Sequence, residues 1–135
     1  MDVQVLKRSF DQVVPQKEAF AKAFYQRLFR EFPETAPLFA KTDMARQESS
    51  LIATLAVVVN GLAQGGDVVP AVKALGKRHK GYHVEPEHFD AVGQSLLATL
   101  SEYLGAAWTP EVEANWVEAY TTLATVMKAE IAAAV

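Results

Sequence analysis

Apolar residues recur at every third or fourth position along almost the whole chain, and no segment alternates convincingly with a period of two. Since that spacing places apolar side chains on one face of an α-helix, the sequence predicts an all-α protein. Some of the apolar stripes are wider than the seam of a simple bundle, which favours crossed helices. Proline and glycine mark the breaks between the predicted helices. These cover residues 3–14, 16–31, 46–62, 68–80, 86–104 and 110–131, with a turn-rich stretch at 33–43.

Length and composition exclude several classes of protein. A chain of 135 residues, half of them hydrophobic and 21% charged, suits one folded domain spanning residues 1–135. Cysteine is absent, which removes disulfides and thiolate metal ligands. The net charge is -3 and the basic residues are scattered, so we expect no nucleic-acid partner. The most apolar run, Leu51–Val59, is shorter than the ~20 residues of a membrane helix, and no signal peptide is evident, so we expect a cytoplasmic protein.

Three histidines lie close together in the sequence, at His79, His83 and His88. His79 follows Val72 and Leu75 by seven and four residues, so it shares their predicted buried face. A buried histidine whose ring is satisfied by a backbone carbonyl would explain this placement without a ligand. Structural zinc is poorly supported, because it needs four nitrogen or sulfur ligands. Haem needs only one neutral imidazole on its proximal side, so haem suits a single well-placed histidine better.

Two further polar residues fall on predicted apolar faces. Gln47 begins a stripe that continues with Leu51 and Leu55, and Tyr25 lies among Phe24 and Leu28. Water could satisfy Gln47 in the first turn of a helix, and a backbone group could satisfy the Tyr25 hydroxyl. Taken singly, neither residue decides between a structural and a functional role.

Six segments, taken together and in order, resemble the globin family. The resemblance is specifically to single-domain bacterial haemoglobins related to flavohaemoglobin haem domains, and more distantly to neuroglobin. It spans the whole chain, and its most specific elements are the Pro-x-x-x-Pro-Leu-Phe and Gly-x-x-His motifs. It implies a globin fold, with crossed helices enclosing one haem b. The matching segments are 24–29, 32–39, 75–80, 87–93, 102–105 and 116–120.

The resemblance also implies roles for individual residues. His79 would be the proximal iron ligand, and Tyr25 and Gln47 would form the distal pair beside the sixth coordination position. Leu51, one turn after Gln47, would close the pocket against water. Phe39 would stack against the porphyrin. A phenol and an amide donor in a dry pocket stabilise dioxygen, which gains negative charge at the iron, more than neutral carbon monoxide.

The proximal half of the implied pocket combines matches with departures from the family pattern. Leu75 and Val84 would line the proximal side, and His83 would hydrogen-bond a haem propionate. Phe89 stands where flavohaemoglobins have a tyrosine that buttresses the axial histidine. Flavohaemoglobins also have a glutamate that supports the histidine. Its position corresponds to Ile131 here, or to Glu130 if the alignment is shifted by one residue. These departures predict weak peroxidase-like and dioxygenase chemistry.

Three functions remain open at the level of sequence. The leading interpretation is a haem protein that reversibly binds dioxygen, carbon monoxide and nitric oxide for storage or delivery. The alternative is a nitric oxide dioxygenase, which would need electrons from a separate reductase. The third is a haem-free helical interaction module. No phosphate-binding loop or nucleophile motif points to another enzyme class.

Overall fold

A computed structural model describes residues 1–80 and 85–133, with side chains at all of these positions except 76–80, 86 and 131–133. The described residues contain six α-helices, three short 3-10 helices and no strand, which confirms the predicted all-α class. None of the helices in this part of the chain is both long and apolar enough to cross a membrane. The α-helices are α1 (Val3–Val13), α2 (Lys17–Glu31), α3 (Met44–Ala63), α4 (Val69–Lys80), α5 (Pro86–Leu104) and α6 (Pro110–Ala133).

Local capping signals set the ends of several helices. The Asp43 carboxylate accepts hydrogen bonds from the backbone N–H groups of Ala45 and Arg46, so α3 begins at Met44, two residues before the predicted start. An aspartate at this position satisfies N–H groups that have no partner within the helix. Helix α5 has the predicted bounds, and Gly105 ends it with a positive φ of 53°, a backbone conformation that glycine adopts without steric cost.

The core is built around α2 and α5. The largest fully buried side chains of these helices include Phe20, Phe24, Leu28 and Leu100. Helices α1 and α6 pack beside them and are joined by a buried hydrogen bond in which the Trp116 indole Nε1–H donates to Ser9 Oγ over 2.8 Å. Buried apolar area supplies most of the stabilisation here, and the indole–hydroxyl bond keeps a buried donor satisfied. These four helices form the rigid frame for the remaining two.

Close contact between α5 and α6 depends on Gly93. A Cβ at that position would lie 2.6 Å from Cε2 of Tyr120. The tyrosine ring cannot move away freely, because its hydroxyl donates a hydrogen bond of 2.6 Å to the Phe89 carbonyl. The absence of a side chain at residue 93 therefore allows α6 to approach α5 at this level.

Replacing Gly93 with alanine is expected to lower the free energy of unfolding by about 1–3 kcal/mol, because the new methyl group overpacks against an anchored ring. Urea denaturation of G93A would measure the loss as a lower midpoint at an unchanged slope. Q94A, at the exposed neighbouring position, is the matched control and should change stability by no more than about 0.5 kcal/mol. Equal stability of the two variants would contradict this account of the contact.

Candidate functional site

A cavity of about 360 Å³ lies between α2, α3, α5 and α6, with one wall completed by α4 and the 3-10 helix Pro33–Phe39. Its volume falls within the range of small-molecule and cofactor sites. Twelve of the lining side chains are large and apolar, which favours a mainly apolar ligand. These are Phe24, Leu28, Leu38, Phe39, Leu51, Leu55, Leu75, Phe89, Val92, Leu96, Leu123 and Met127.

The cavity explains why the apolar stripe of α3 is only partly buried. Gln47, Leu51 and Leu55 all line it and retain intermediate solvent exposure, although each faces the interior. Val59 is the fully buried residue of this helix. A helix whose apolar face is this incompletely covered by protein leaves space for something else to pack against it.

Tyr25 and Gln47 meet at the cavity wall. Gln47 Nε2 donates a hydrogen bond of 3.0 Å to the Tyr25 hydroxyl oxygen. Helix α2 holds the phenol ring edge-on against Phe24 at 4.8 Å between centroids and against Phe39 at 5.5 Å. The side-chain partner of Tyr25 is thus the amide of a residue 22 positions away, and the ring is fixed by aromatic packing.

The environment of Tyr25 keeps its hydroxyl protonated. The residue is only 5% exposed, and burial raises the pKa of the phenol to about 12, although the hydrogen bond from Gln47 acts in the opposite direction. Because the amide donates to the phenol oxygen, the phenol proton remains available for a separate acceptor. The pair therefore offers an oriented O–H donor beside an apolar space.

Phe39 is positioned by the 3-10 helix that follows α2. Thr35, almost fully buried, donates its hydroxyl to the Phe32 carbonyl over 2.7 Å at the start of this segment. The Phe39 ring then packs against Phe29 at 5.4 Å between centroids as well as against Tyr25. The aromatic cluster places a flat apolar side chain on the cavity wall, where it could stack against a planar ligand.

The structure brings six of the nine predicted site residues to this one cavity, and it leaves three outside what is described. Position 79 lies on α4, four residues after Leu75, but the His79 side chain is not among the described side chains. His83 and Val84 lie outside the described residues. The six that line the cavity are Tyr25, Phe39, Gln47, Leu51, Leu75 and Phe89.

Among the lining residues that were not predicted as part of the site, His88 and Tyr120 carry rings with hydrogen-bonding groups. The His88 Nδ1 atom accepts a hydrogen bond of 2.8 Å from the Glu85 backbone N–H, which places the proton of the neutral ring on Nε2. Tyr120 shares its α6 stripe with Leu123 and Met127, and this spacing is the signal that could have identified it. Nothing in the local sequence could have identified His88, because its place depends on how α5 packs.

The Tyr120 hydroxyl lies on the cavity wall beside Phe89. It donates to the Phe89 carbonyl, and burial raises its pKa, with the carboxylate of Asp90 adding to the effect. The Tyr120 hydroxyl therefore keeps its proton and donates it in a hydrogen bond to a backbone acceptor. The described surface at this side of the cavity is accordingly apolar apart from His88 and the bound Tyr120 hydroxyl.

A metal ion could not be held here by a conventional side-chain cluster. Among the residues that the structure describes, no three histidine, cysteine, aspartate or glutamate side chains are grouped to bind one. A metal in this cavity would need most of its ligands from a carrier molecule, and the apolar walls suit a flat carrier such as a porphyrin. The apolar lining and the flat ring of Phe39 on the cavity wall therefore fit haem.

Comparisons with known proteins give a consistent assignment. The sequence pattern that defines the globin family matches residues 22–127. The chain is 28% identical over 124 residues to a flavohemoprotein of Bacillus subtilis and 30% identical over 126 residues to one of Vibrio cholerae. These alignments cover 90% and 92% of this chain but 31% and 32% of the two relatives. The chain thus spans less than a third of the length of these relatives.

Proposed function

Because this chain belongs to the globin family, we propose that residues 1–135 form one domain that binds haem b in the cavity and takes up dioxygen reversibly. Carbon monoxide and nitric oxide would bind at the same position. Globin membership and the flavohemoprotein relatives support haem binding and diatomic gas ligands in general. Oxygen storage or delivery, in the cytoplasm, is the more specific proposal.

The observation that carries this proposal is the Tyr25–Gln47 hydrogen bond in a mainly apolar cavity. When bound, the haem iron supplies the coordination position at which a diatomic gas attaches and leaves. The Tyr25 hydroxyl would donate to a ligand that carries partial negative charge, and Gln47 would hold the phenol in place. Leu51 and Leu55 would exclude the water and protons that promote oxidation of the iron.

We assign the opposite side of the site to α4 and the residues that follow it. His79 would supply the imidazole ligand, Leu75 and Val84 would line the space around it, and His83 would hydrogen-bond a propionate. Phe39 would stack on the porphyrin face. With Phe89 unable to donate a hydrogen bond from its side chain, the imidazole would be less electron-rich than one supported by a phenol and a carboxylate, so binding is favoured over peroxidase-like turnover.

Nitric oxide dioxygenase activity is the second candidate. The relatives that bear on it are named flavohemoproteins, a name that joins a flavin, which can carry electrons, to a haem protein. The electrons for repeated turnover would come from a reductase. The same Tyr25–Gln47 pair would serve this reaction by retaining oxygen until nitric oxide arrives.

Alternating argon and air over the reduced protein tests the proposed function. We expect the visible absorption spectrum to change on oxygenation and to return under argon through several cycles. Absence of any haem absorption, with no gain in stability on adding haem, would establish the haem-free interaction module instead. One-way oxidation at the first exposure to air would also contradict reversible binding. Repeated nitrate formation from nitric oxide in the presence of a cellular reductase would favour the dioxygenase.

A further inference from the structure

A second cavity, of about 250 Å³, lies between α3 and α4. At its outer end are the exposed residues Ala53, Val57 and Ala71, and Val57 is 57% exposed. The buried Val72 lies at its inner end. The space therefore runs from the protein surface into the interior between these two helices, and we refer to it as the lateral groove.

The lateral groove adjoins the main cavity. Ser50, Thr54 and Leu75 line both spaces, the first two from α3 and the third from α4. A diatomic molecule is about the size of one water molecule, whose share of liquid volume is about 30 Å³. The volume of the groove thus exceeds that of such a molecule, and three of its lining residues are also walls of the proposed binding site.

The walls of the lateral groove contrast with the part of the main cavity formed by Gln47. Its walls carry mainly small or apolar side chains, among them Ala53 and Ala71 on opposite helices. A gas molecule that entered past Gln47, in contrast, would displace the amide that donates to Tyr25. Its entry would break a hydrogen bond inside a mainly apolar space, which is unfavourable. An apolar gas partitions readily into an apolar passage, whereas water and ions do not.

We propose that dioxygen and carbon monoxide reach the site laterally, through the groove between α3 and α4. This inference rests on the proposed gas binding. Tyr25 and Gln47 would then retain the ligand without having to open for it. Because a passage does not alter the two end states, its width would change the association and dissociation rate constants by the same factor and leave the equilibrium affinity unchanged.

Filling the groove with a large side chain tests the route. A53W narrows it from α3, and A71W narrows it from α4, so failure of one variant to fold still leaves the other. Carbon monoxide is the probe, measured by flash photolysis and by ligand replacement on the haem-loaded protein. We expect both rate constants to fall by roughly tenfold, equally, at constant affinity. A114W, an exposed alanine on α6 that lines neither cavity, is the matched control and should keep wild-type rates.

The other possible results of this experiment each contradict either the lateral route or the proposed function. Unchanged rates in a tryptophan variant that forms a normal carbon monoxide complex would overturn the lateral route and leave the proposed function intact. A loss of affinity, with only the association rate reduced, would show distortion of the site and would also overturn the route. If the unmodified protein forms no carbon monoxide complex, the proposed function itself fails.

Discussion

Y25F is expected to release dioxygen at least about tenfold faster than the unmodified protein, with a much smaller change for carbon monoxide. A hydrogen bond to a charged acceptor contributes about 1.5–3 kcal/mol, and each 1.4 kcal/mol is a factor of ten. The substitution removes only the hydroxyl, so the ring can keep its packing against Phe24 and Phe39. A larger change in dioxygen dissociation than in carbon monoxide dissociation would therefore indicate loss of the Tyr25 hydrogen bond and not a change in the shape of the cavity.

The Gln47 variant separates direct from indirect stabilisation. Because Gln47 donates to the Tyr25 oxygen, Q47L should release dioxygen faster than the unmodified protein but more slowly than Y25F. In the double variant the effect of Q47L should largely disappear, since the group through which it acts is gone. Stopped-flow measurement of oxygen dissociation in all three variants gives the coupling directly.

A distant phenol provides the control for these rates. Tyr103 packs edge-on against Phe20 at 5.5 Å and does not line the cavity, so Y103F should leave gas dissociation unchanged. The rate in the unmodified protein should also stay flat with rising pH until the Tyr25 phenol begins to lose its proton, because burial holds the pKa of that group at about 12. Unaltered oxygen dissociation in both Y25F and Q47L would refute the distal assignment.

Local patterns in the sequence anticipate much of this fold. The spacing of apolar residues identifies all six α-helices, and Pro86 and Gly105 mark the two ends of α5 correctly, because helix caps are determined by neighbouring residues. Helix α3 begins two residues before the start that the stripe beginning at Gln47 predicts, because the Asp43 side chain caps the helix. Helix ends depend on a few hydrogen bonds that apolar periodicity does not report.

The site was less predictable than the helices. The meeting of Tyr25 and Gln47 follows from the crossing of α2 and α3, which a family resemblance implies and periodicity alone does not. Tyr120 and His88 reach the cavity because of how closely α5 and α6 pack, and that closeness depends on Gly93. Such contacts are set by tertiary packing between helices distant in sequence, so apolar spacing can place Tyr120 on the buried stripe of α6 but cannot place His88 at the cavity.

H79G is expected to have the largest effect of any substitution proposed here. If His79 supplies the only protein ligand to the iron, its removal should weaken haem binding by at least about a hundredfold, the scale on which one lost metal ligand acts. The apolar cavity would remain, so free imidazole at millimolar concentration should enter and restore much of the lost affinity. Haem transfer to an excess of apomyoglobin, followed by absorption, would measure the retention of haem with and without imidazole.

His88 provides a stringent comparison, because it is the one histidine whose described side chain lines the cavity. H88Q retains an oxygen atom that can accept the bond from the Glu85 N–H and removes the ring. The account predicts that H88Q keeps haem and its gas-dependent spectrum, whereas H79G loses haem and regains it with imidazole. Retention of haem with an unaltered spectrum and gas response in H79G, or loss of haem in H88Q instead, would contradict the assignment of His79 as the iron ligand.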